Sequence, residues 1–255
     1  MIRLLSTDFD GTLVNHNQEP AVSPAMFEVF AEMRAGGAVW AINTGRAVHH
    51  IVEGLEEYGF GIQPDFIVTS ERDIFRPKAG GGWEDFGDWN RRSHAAHSEL
   101  YEEAKPLIEE INIYLKKNTK ALPINELSGL GIIASDEKEM EQIARYIDTL
   151  RPRLPAFHYQ RNTRYMRFCH SDYSKGTALA ELARLLGVAK GEIFAAGDHY
   201  NDISMLDGRF ARWVACPANS AEAVKAIVHE AGGYVAHASF SDGVVEALRF
   251  FTGRA

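Results

Sequence analysis

Apolar runs at Ile2 to Ser6, Val39 to Asn43, Phe66 to Thr69, Glu192 to Ala196 and Arg212 to Ala215 alternate with segments of helical period, and this alternation constrains the fold more than any other feature of the chain. Short apolar runs read as buried strands, and strands separated by helices pair in parallel with helices on both faces of the sheet. The expected fold class is therefore α/β, with a Rossmann-like parallel sheet core. Two of the intervening helices can be read in detail. Ser23 and Pro24 read as an N-cap and first helical residue, Met26, Phe27, Phe30 and Met33 share a face, and Gly36-Gly37 ends the run. Val48, Ile51, Val52 and Leu55 repeat the helical period, with Glu53, Glu56 and Glu57 opposite.

Between Pro77 and Arg164 the alternation breaks. Gly80-Gly81-Gly82 reads as a linker. Beyond it come helical stretches around Glu99 to Lys117, in which Pro106 marks a new helix start or a kink. A strand at Gly129 to Ala134, a helix at Asp136 to Leu150 and a strand near Phe157 to Gln160 follow. These elements suffice for a smaller α/β domain at 77–164, inserted into a core made of 1–76 and 165–255.

Open α/β sheets bind ligands beyond the carboxyl ends of their strands, so the residues that follow each run carry the functional reading. After the first run stands Asp8-Phe9-Asp10-Gly11-Thr12-Leu13-Val14. A carboxylate pair there can divide its labour, one group attacking while the other handles a proton. Gly11 lets the backbone turn sharply and approach a ligand, and Thr12 adds a hydroxyl. The pair alone is equally compatible with a plain strand exit, because Asp is common in turns. Three further segments accompany it: Ile42-Asn43-Thr44-Gly45-Arg46, Ser174-Lys175-Gly176-Thr177-Ala178-Leu179, and Gly197-Asp198-His199-Tyr200-Asn201-Asp202.

In these four segments, and in their order, the chain resembles the haloacid dehalogenase superfamily phosphatases of the Cof type, which carry a large α/β cap. The resemblance spans essentially the whole length. It implies that 77–164 is the cap and that the chain hydrolyses a small phosphate monoester, with sugar phosphates among the candidates, through an aspartyl-phosphate. It implies Asp8 as nucleophile, Asp10 as general acid and base, and Lys175 as the cation facing the carboxylates and the phosphate. Thr44, Gly45, Arg46 and Asn201 are implied as phosphate or substrate ligands. Mg2+ is the implied cofactor, held by Asp8, Asp198 and the main-chain carbonyl of Asp10, with Asp202 holding a metal-bound water or orienting Lys175. Oxygen donors of this kind suit magnesium, and the lack of a Cys/His cluster disfavours zinc; neither His49 nor His50 has a partner at a ligand spacing.

Each residue also has a plainer reading. Thr44 can be a helix cap, Arg46 an exposed arginine, Lys175 a solvated lysine that opposes the helix macrodipole, and Asp202 a favourable first-turn acid. Transfer of the phosphoryl group to an organic acceptor, as in a phosphotransferase or phosphomutase, and non-catalytic binding of a sugar phosphate by a regulator stay open. Ser70-Glu71-Arg72 stands where many relatives carry Asn-Gly-Ala, and Cys216-Pro217-Ala218-Asn219-Ser220 where many carry Met-Gly-Asn-Ala. Neither departure removes a catalytic group, but both weigh against borrowing a relative's substrate. Arg161, Arg164, Trp83 and Trp89 are candidate contacts for a leaving group, or simply surface charge and cap core, and Arg91 and Arg92 read as a solvated face.

With 45% hydrophobic residues the chain can bury a substantial core, while a formal charge of -8 argues against a general nucleic-acid binder. The expected partner is a small phosphorylated metabolite; composition sets no oligomeric state. Cys169 and Cys216 are too few for a disulfide framework and read as inert thiols. The N-terminus lacks a signal-like succession and no apolar run reaches membrane-spanning length, so the expected location is cytoplasmic, away from the membrane.

Overall fold

Leu4–Thr7 form β1, buried at every position, as an apolar run requires when helices cover both faces of its sheet. The structure, a computed structural model, describes residues 1–126 and 129–253. From β1 the chain runs through α1 (Pro24–Ala35), β2 (Val39–Asn43), α2 (Val48–Glu57) and β3 (Phe66–Thr69), and then through β4 (Asp73–Pro77) and β5 (Trp83–Asp85). Next come α3 (Trp89–Glu103), α4 (Lys105–Asn118), β6 (Leu122–Glu126), β7 (Gly129–Ile133), α5 (Glu137–Leu150), β8 (Phe157–Arg161) and β9 (Tyr165–His170). The remainder is α6 (Lys175–Leu186), β10 (Ile193–Ala196), α7 (Ile203–Leu206), β11 (Trp213–Cys216), α8 (Glu222–Glu230), β12 (Tyr234–Val235) and α9 (Phe240–Thr252).

The chain forms two compact units, Met1–Asn90 joined with the chain from Lys175 onward, and Arg91–Ser174. The first carries an eight-stranded sheet in the order β12-β11-β10-β1-β2-β3-β4-β5. Neighbours from β12 to β3 are parallel. Because β2 and β3 extend the sheet on one side of β1 while β10 and β11 extend it on the other, the order reverses between β1 and β10, the place where α/β sheets open a crevice for ligands. Phe9, Phe30, Trp40, Ile51, Phe60, Ile67 and Phe194 are among the buried side chains of its core. The expected helix at Ser23 is present, but the Ser23 side chain makes no capping bond; its N–H donates instead to Ser241 Oγ at 2.9 Å.

β4 and β5 continue this sheet as antiparallel strands. Gly80-Gly81-Gly82 is thus the turn of a hairpin rather than a linker. All three have positive φ, and Lys78 N–H donates to Gly82 O at 2.9 Å across the turn. This is the physical reason that the inserted unit begins at Arg91 instead of 77. The same hairpin leads to Trp89, which is buried and donates its indole N–H to Arg72 O at 2.7 Å, while Trp83 packs partly buried against the core cluster. Both tryptophans belong to the first unit and serve packing there.

The second unit has an antiparallel sheet in the order β6-β7-β9-β8. β9 carries the unit past 164: Gly131 pairs with Arg167 and Phe157 with His170. Pro106 sits in the first turn of α4, so it starts a helix rather than kinking one. Asp136 caps α5, accepting from Glu139 N–H at 2.8 Å. Leu107, Ile111, Met140, Ile143, Ile147, Phe157 and Met166 supply much of the unit's own core. Arg161 is paired with Glu141, and Arg164 donates to Ser135 O at 3.3 Å. Cys169 and Cys216 are buried and form no disulfide among the described residues, and burial pushes the Cys216 thiol up to about 11. Among the described residues no helix is long and apolar enough to cross a membrane.

Candidate active site

Asp8 and Asp198 leave the C-terminal ends of β1 and β10, adjacent parallel strands in which Thr7 pairs with Ala196. Asp8 N–H donates to Ala196 O at 2.9 Å, so the first carboxylate is tied to the neighbouring strand end. Gly11 turns with φ +81°, and a Cβ there would lie 2.5 Å from Asp198 Oδ2; glycine is required both for the turn and for the approach. Thr12 Oγ1 donates to Asp198 Oδ1 at 2.8 Å.

Lys175 opens α6 and is fully buried. Its Nζ donates to Asp8 Oδ1 and to Asp202 Oδ1, each at 2.6 Å, which rules out the solvated-lysine reading. Burial alone would lower its pKa, but Asp202, Asp8 and Glu71 outweigh burial and keep it charged. Asp202 is also buried, and its second oxygen accepts from the N–H groups of Asp198 and His199, each at 2.9 Å. It therefore orients both Lys175 and the turn that carries Asp198.

One carboxylate oxygen from each of Asp8, Asp198 and Asp202 lies within 4.8 Å of the others. A single lysine does not neutralise the three. Burial, reinforced by Asp202 and Asp198, raises the Asp8 pKa well above the ordinary carboxylate range against the pull of Lys175. Burial and then Asp202 push Asp198 up to about 7. An all-oxygen set with uncompensated negative charge fits a hard divalent cation, which would relieve that repulsion. The Asp10 carboxylate lies outside this cluster. It accepts from Arg46 Nε at 2.8 Å and Nη2 at 2.6 Å, and His16 Nε2 lies 2.7 Å from its Oδ1. His16 Nδ1 is in turn 3.0 Å from the Tyr58 hydroxyl.

Thr44 is buried at the end of β2, with its hydroxyl accepting from Arg46 N–H at 3.2 Å. Arg46 stacks over the Phe9 ring at 5.1 Å and grips Asp10 in bidentate fashion, so it is neither exposed nor idle. Asn201 Nδ2 donates to Glu71 Oε1 at 2.9 Å, and the same oxygen would lie 3.2 Å from a Cβ on Gly45. His16, Tyr58 and Glu71 are the site neighbours that sequence reasoning missed. Their only signal was position in the loop after a strand or at a helix end. The His49 and His50 rings lie 4.0 Å apart between centroids, tilted by 50°, and join no metal cluster among the described residues.

The sequence pattern of the haloacid dehalogenase-like hydrolases matches residues 62–248, most of the chain and the part that includes Lys175, Asp198 and Asp202. The chain belongs to that family. A Bacillus subtilis protein named "Putative phosphatase YxeH" is 21% identical over 283 aligned positions, covering 97% of this hydrolase and 97% of its own length. Phosphoglycolate phosphatase of Methanosarcina acetivorans is 39% identical over 77 residues, which are 30% of this hydrolase and 31% of that protein. Among solved structures, the sucrose-phosphatase of Synechocystis in complex with sucrose and phosphate superposes with a TM-score of 0.74 at 18% identity, covering 99% of both chains. At that identity the likeness is one of fold, and it extends over both units.

Proposed function

We propose that this hydrolase cleaves a small phosphate monoester through a covalent aspartyl-phosphate on Asp8. The observation that carries the reading is the buried Lys175 bridging Asp8 and Asp202 beside Asp198, at the strand ends where the sheet order reverses. A lysine buried at 0% exposure among three carboxylates has a use that packing does not supply: it pulls Asp8 toward the ionised form that attacks and meets the anionic phosphoryl oxygens.

In the first step an Asp8 oxygen bonds to phosphorus, the ester P–O bond breaks, and Asp10 gives a proton to the departing alkoxide. Water then attacks the phosphorus, Asp10 takes the water proton, and release of inorganic phosphate restores the Asp8 carboxylate. Arg46 grips both Asp10 oxygens and so positions the group, and one of these bonds gives way when Asp10 carries the proton for the leaving group. Thr44, Gly45 and Asn201 are the proposed donors to the phosphoryl oxygens. Asp8, Asp198 and the main-chain carbonyl of Asp10 would hold Mg2+, with Asp202 behind them; when bound, the ion supplies positive charge against the phosphoryl oxygens. Sugar phosphates are the favoured substrate class, a choice supported by the fold shared with a sucrose-phosphatase.

The test is phosphate release from a panel of sugar phosphates, nucleotides and cofactor phosphates, with magnesium or EDTA, for wild type, Asp8→Asn and Asp10→Asn. Release should require magnesium, vanish in Asp8→Asn and fall by roughly a hundred- to ten-thousandfold in Asp10→Asn. Wild-type turnover in either variant would sink the assigned role. Product analysis with and without an acceptor sugar separates hydrolysis from phosphoryl transfer.

A further inference from the structure

Ser70 and Glu71 follow β3 with φ of +48° and +65°, the left-handed region that residues bearing a Cβ seldom occupy. Their backbone is pinned to the strand end that carries the candidate phosphate donors: Ser70 N–H donates to Arg46 O at 3.0 Å and Glu71 N–H to Thr44 O at 2.9 Å. The Glu71 side chain is buried, lies against Gly45 and accepts from Asn201 Nδ2 at 2.9 Å. Its negative charge acts on Lys175 together with those of Asp202 and Asp8. Glu71 thus combines a strained backbone with a desolvated carboxylate. Both oppose folding, and strain of this kind persists where it serves a site.

We propose that Glu71 is a positioning residue of the phosphate site, acting through the side-chain amide of Asn201. An amide offers two N–H donors at one end and an acceptor oxygen at the other. By accepting one N–H, Glu71 fixes the nitrogen end and leaves the second N–H of the same nitrogen for a phosphoryl oxygen. Without Glu71 the amide is free to turn its oxygen to the phosphate, which repels it. The inference rests on the reading of Asn201 as a phosphate ligand. It also gives a use to Ser70-Glu71-Arg72, the segment in which this chain departs from many relatives.

The test uses the intact chain with magnesium, comparing wild type, E71G, E71Q, N201A and the double variant E71G/N201A. Three quantities are read: kcat and KM for p-nitrophenyl phosphate, the affinity for inorganic phosphate by titration calorimetry, and Tm without ligand. Loss of a hydrogen bond to a charged group predicts that E71G weakens phosphate binding and raises KM by about tenfold or more. Glycine suits the +65° backbone, so the Tm of E71G should equal or exceed that of wild type by a few degrees, which loss of a merely structural residue would not allow. E71Q keeps an acceptor oxygen for Asn201 and should stay within about threefold of wild type. On the N201A background, E71G should change affinity by less than about twofold. An unchanged phosphate affinity in E71G, a loss in E71Q as large as in E71G, or an undiminished effect of E71G on the N201A background would each overturn the proposal. A wild type that binds inorganic phosphate but cleaves no ester would sink the phosphatase reading alone, since the calorimetric comparison still decides the role of Glu71.

Discussion

Asp198→Asn should stabilise the metal-free protein at pH 8, although it removes a residue of the candidate metal site. In the unfolded chain this carboxyl ionises near its ordinary 3.8, whereas in the folded protein burial and Asp202 push it up to about 7. Between those values the folded state holds a proton that the unfolded state has released, so stability falls as pH rises through the window. Each pH unit is worth about 1.4 kcal/mol, and the whole window about 4 kcal/mol. Because Asp8 shares the repulsion and adjusts with it, a gain of roughly 2–4 kcal/mol is the reasonable expectation for an uncharged amide. The amide oxygen can still accept from Thr12, so no buried hydroxyl is left without a partner. For a chain of this length the gain corresponds to a Tm rise of roughly 5–15 °C. The assay is calorimetric unfolding in EDTA at pH 4, 6 and 8. The two proteins should be close at pH 4, and the variant should lead increasingly as pH rises. Saturating magnesium at pH 8 should close the gap by stabilising wild type and not the variant. A variant less stable than wild type in EDTA at pH 8, or a difference that ignores pH, would refute the claim that unbalanced charge is stored at this position.

The opposite sign is expected at Lys175. Lys175→Met leaves Asp8 and Asp202 buried without their cation and should cost about 3–5 kcal/mol at pH 8, read from the denaturant midpoint, with the loss shrinking in acid as Asp8, whose pKa burial already raises, protonates. Gly176→Ala would bring a Cβ to 2.0 Å from the Ser204 backbone carbonyl, which cannot swing aside as a side chain would; a loss of about 3 kcal/mol is expected by the same measurement.

The strands that read clearly in the sequence are the ones whose physics is local. Val39–Asn43 and Phe66–Thr69 are apolar because both faces of the sheet are covered, and their observed bounds match the runs. The β4–β5 hairpin was missed because Asp73–Pro77 mixes charge with apolar residues and ends at a proline, and because a run of glycines reads alike as turn or tether. β6 was missed for a similar reason: it is an edge strand, and Leu122 stands 66% exposed. At the site, the apolar runs placed Asp8 and Asp198 at strand ends and Lys175 and Asp202 at helix starts, the family resemblance implied their shared role, and the structure brings these four together. Asp10 was legible as a carboxylate but its grip by Arg46 and His16 was not, since residues 10, 16 and 46 meet only through the packing of two loops. Glu71 was legible only as part of a segment that follows the third strand, with nothing to mark its role. What marks it is a positive φ, which a sequence of side chains does not display.

The ends of the eight-stranded sheet bear on how the molecule behaves in a crowd. Its outermost strands, Trp83–Asp85 and Tyr234–Val235, are three and two residues long. An edge that short exposes too few free backbone donors and acceptors to template the addition of another chain, and Glu84 and Asp85 place acidic groups on one of the two edges. A sheet wide enough to seat a charged crevice at its centre thus tapers at both margins, where self-association would otherwise begin.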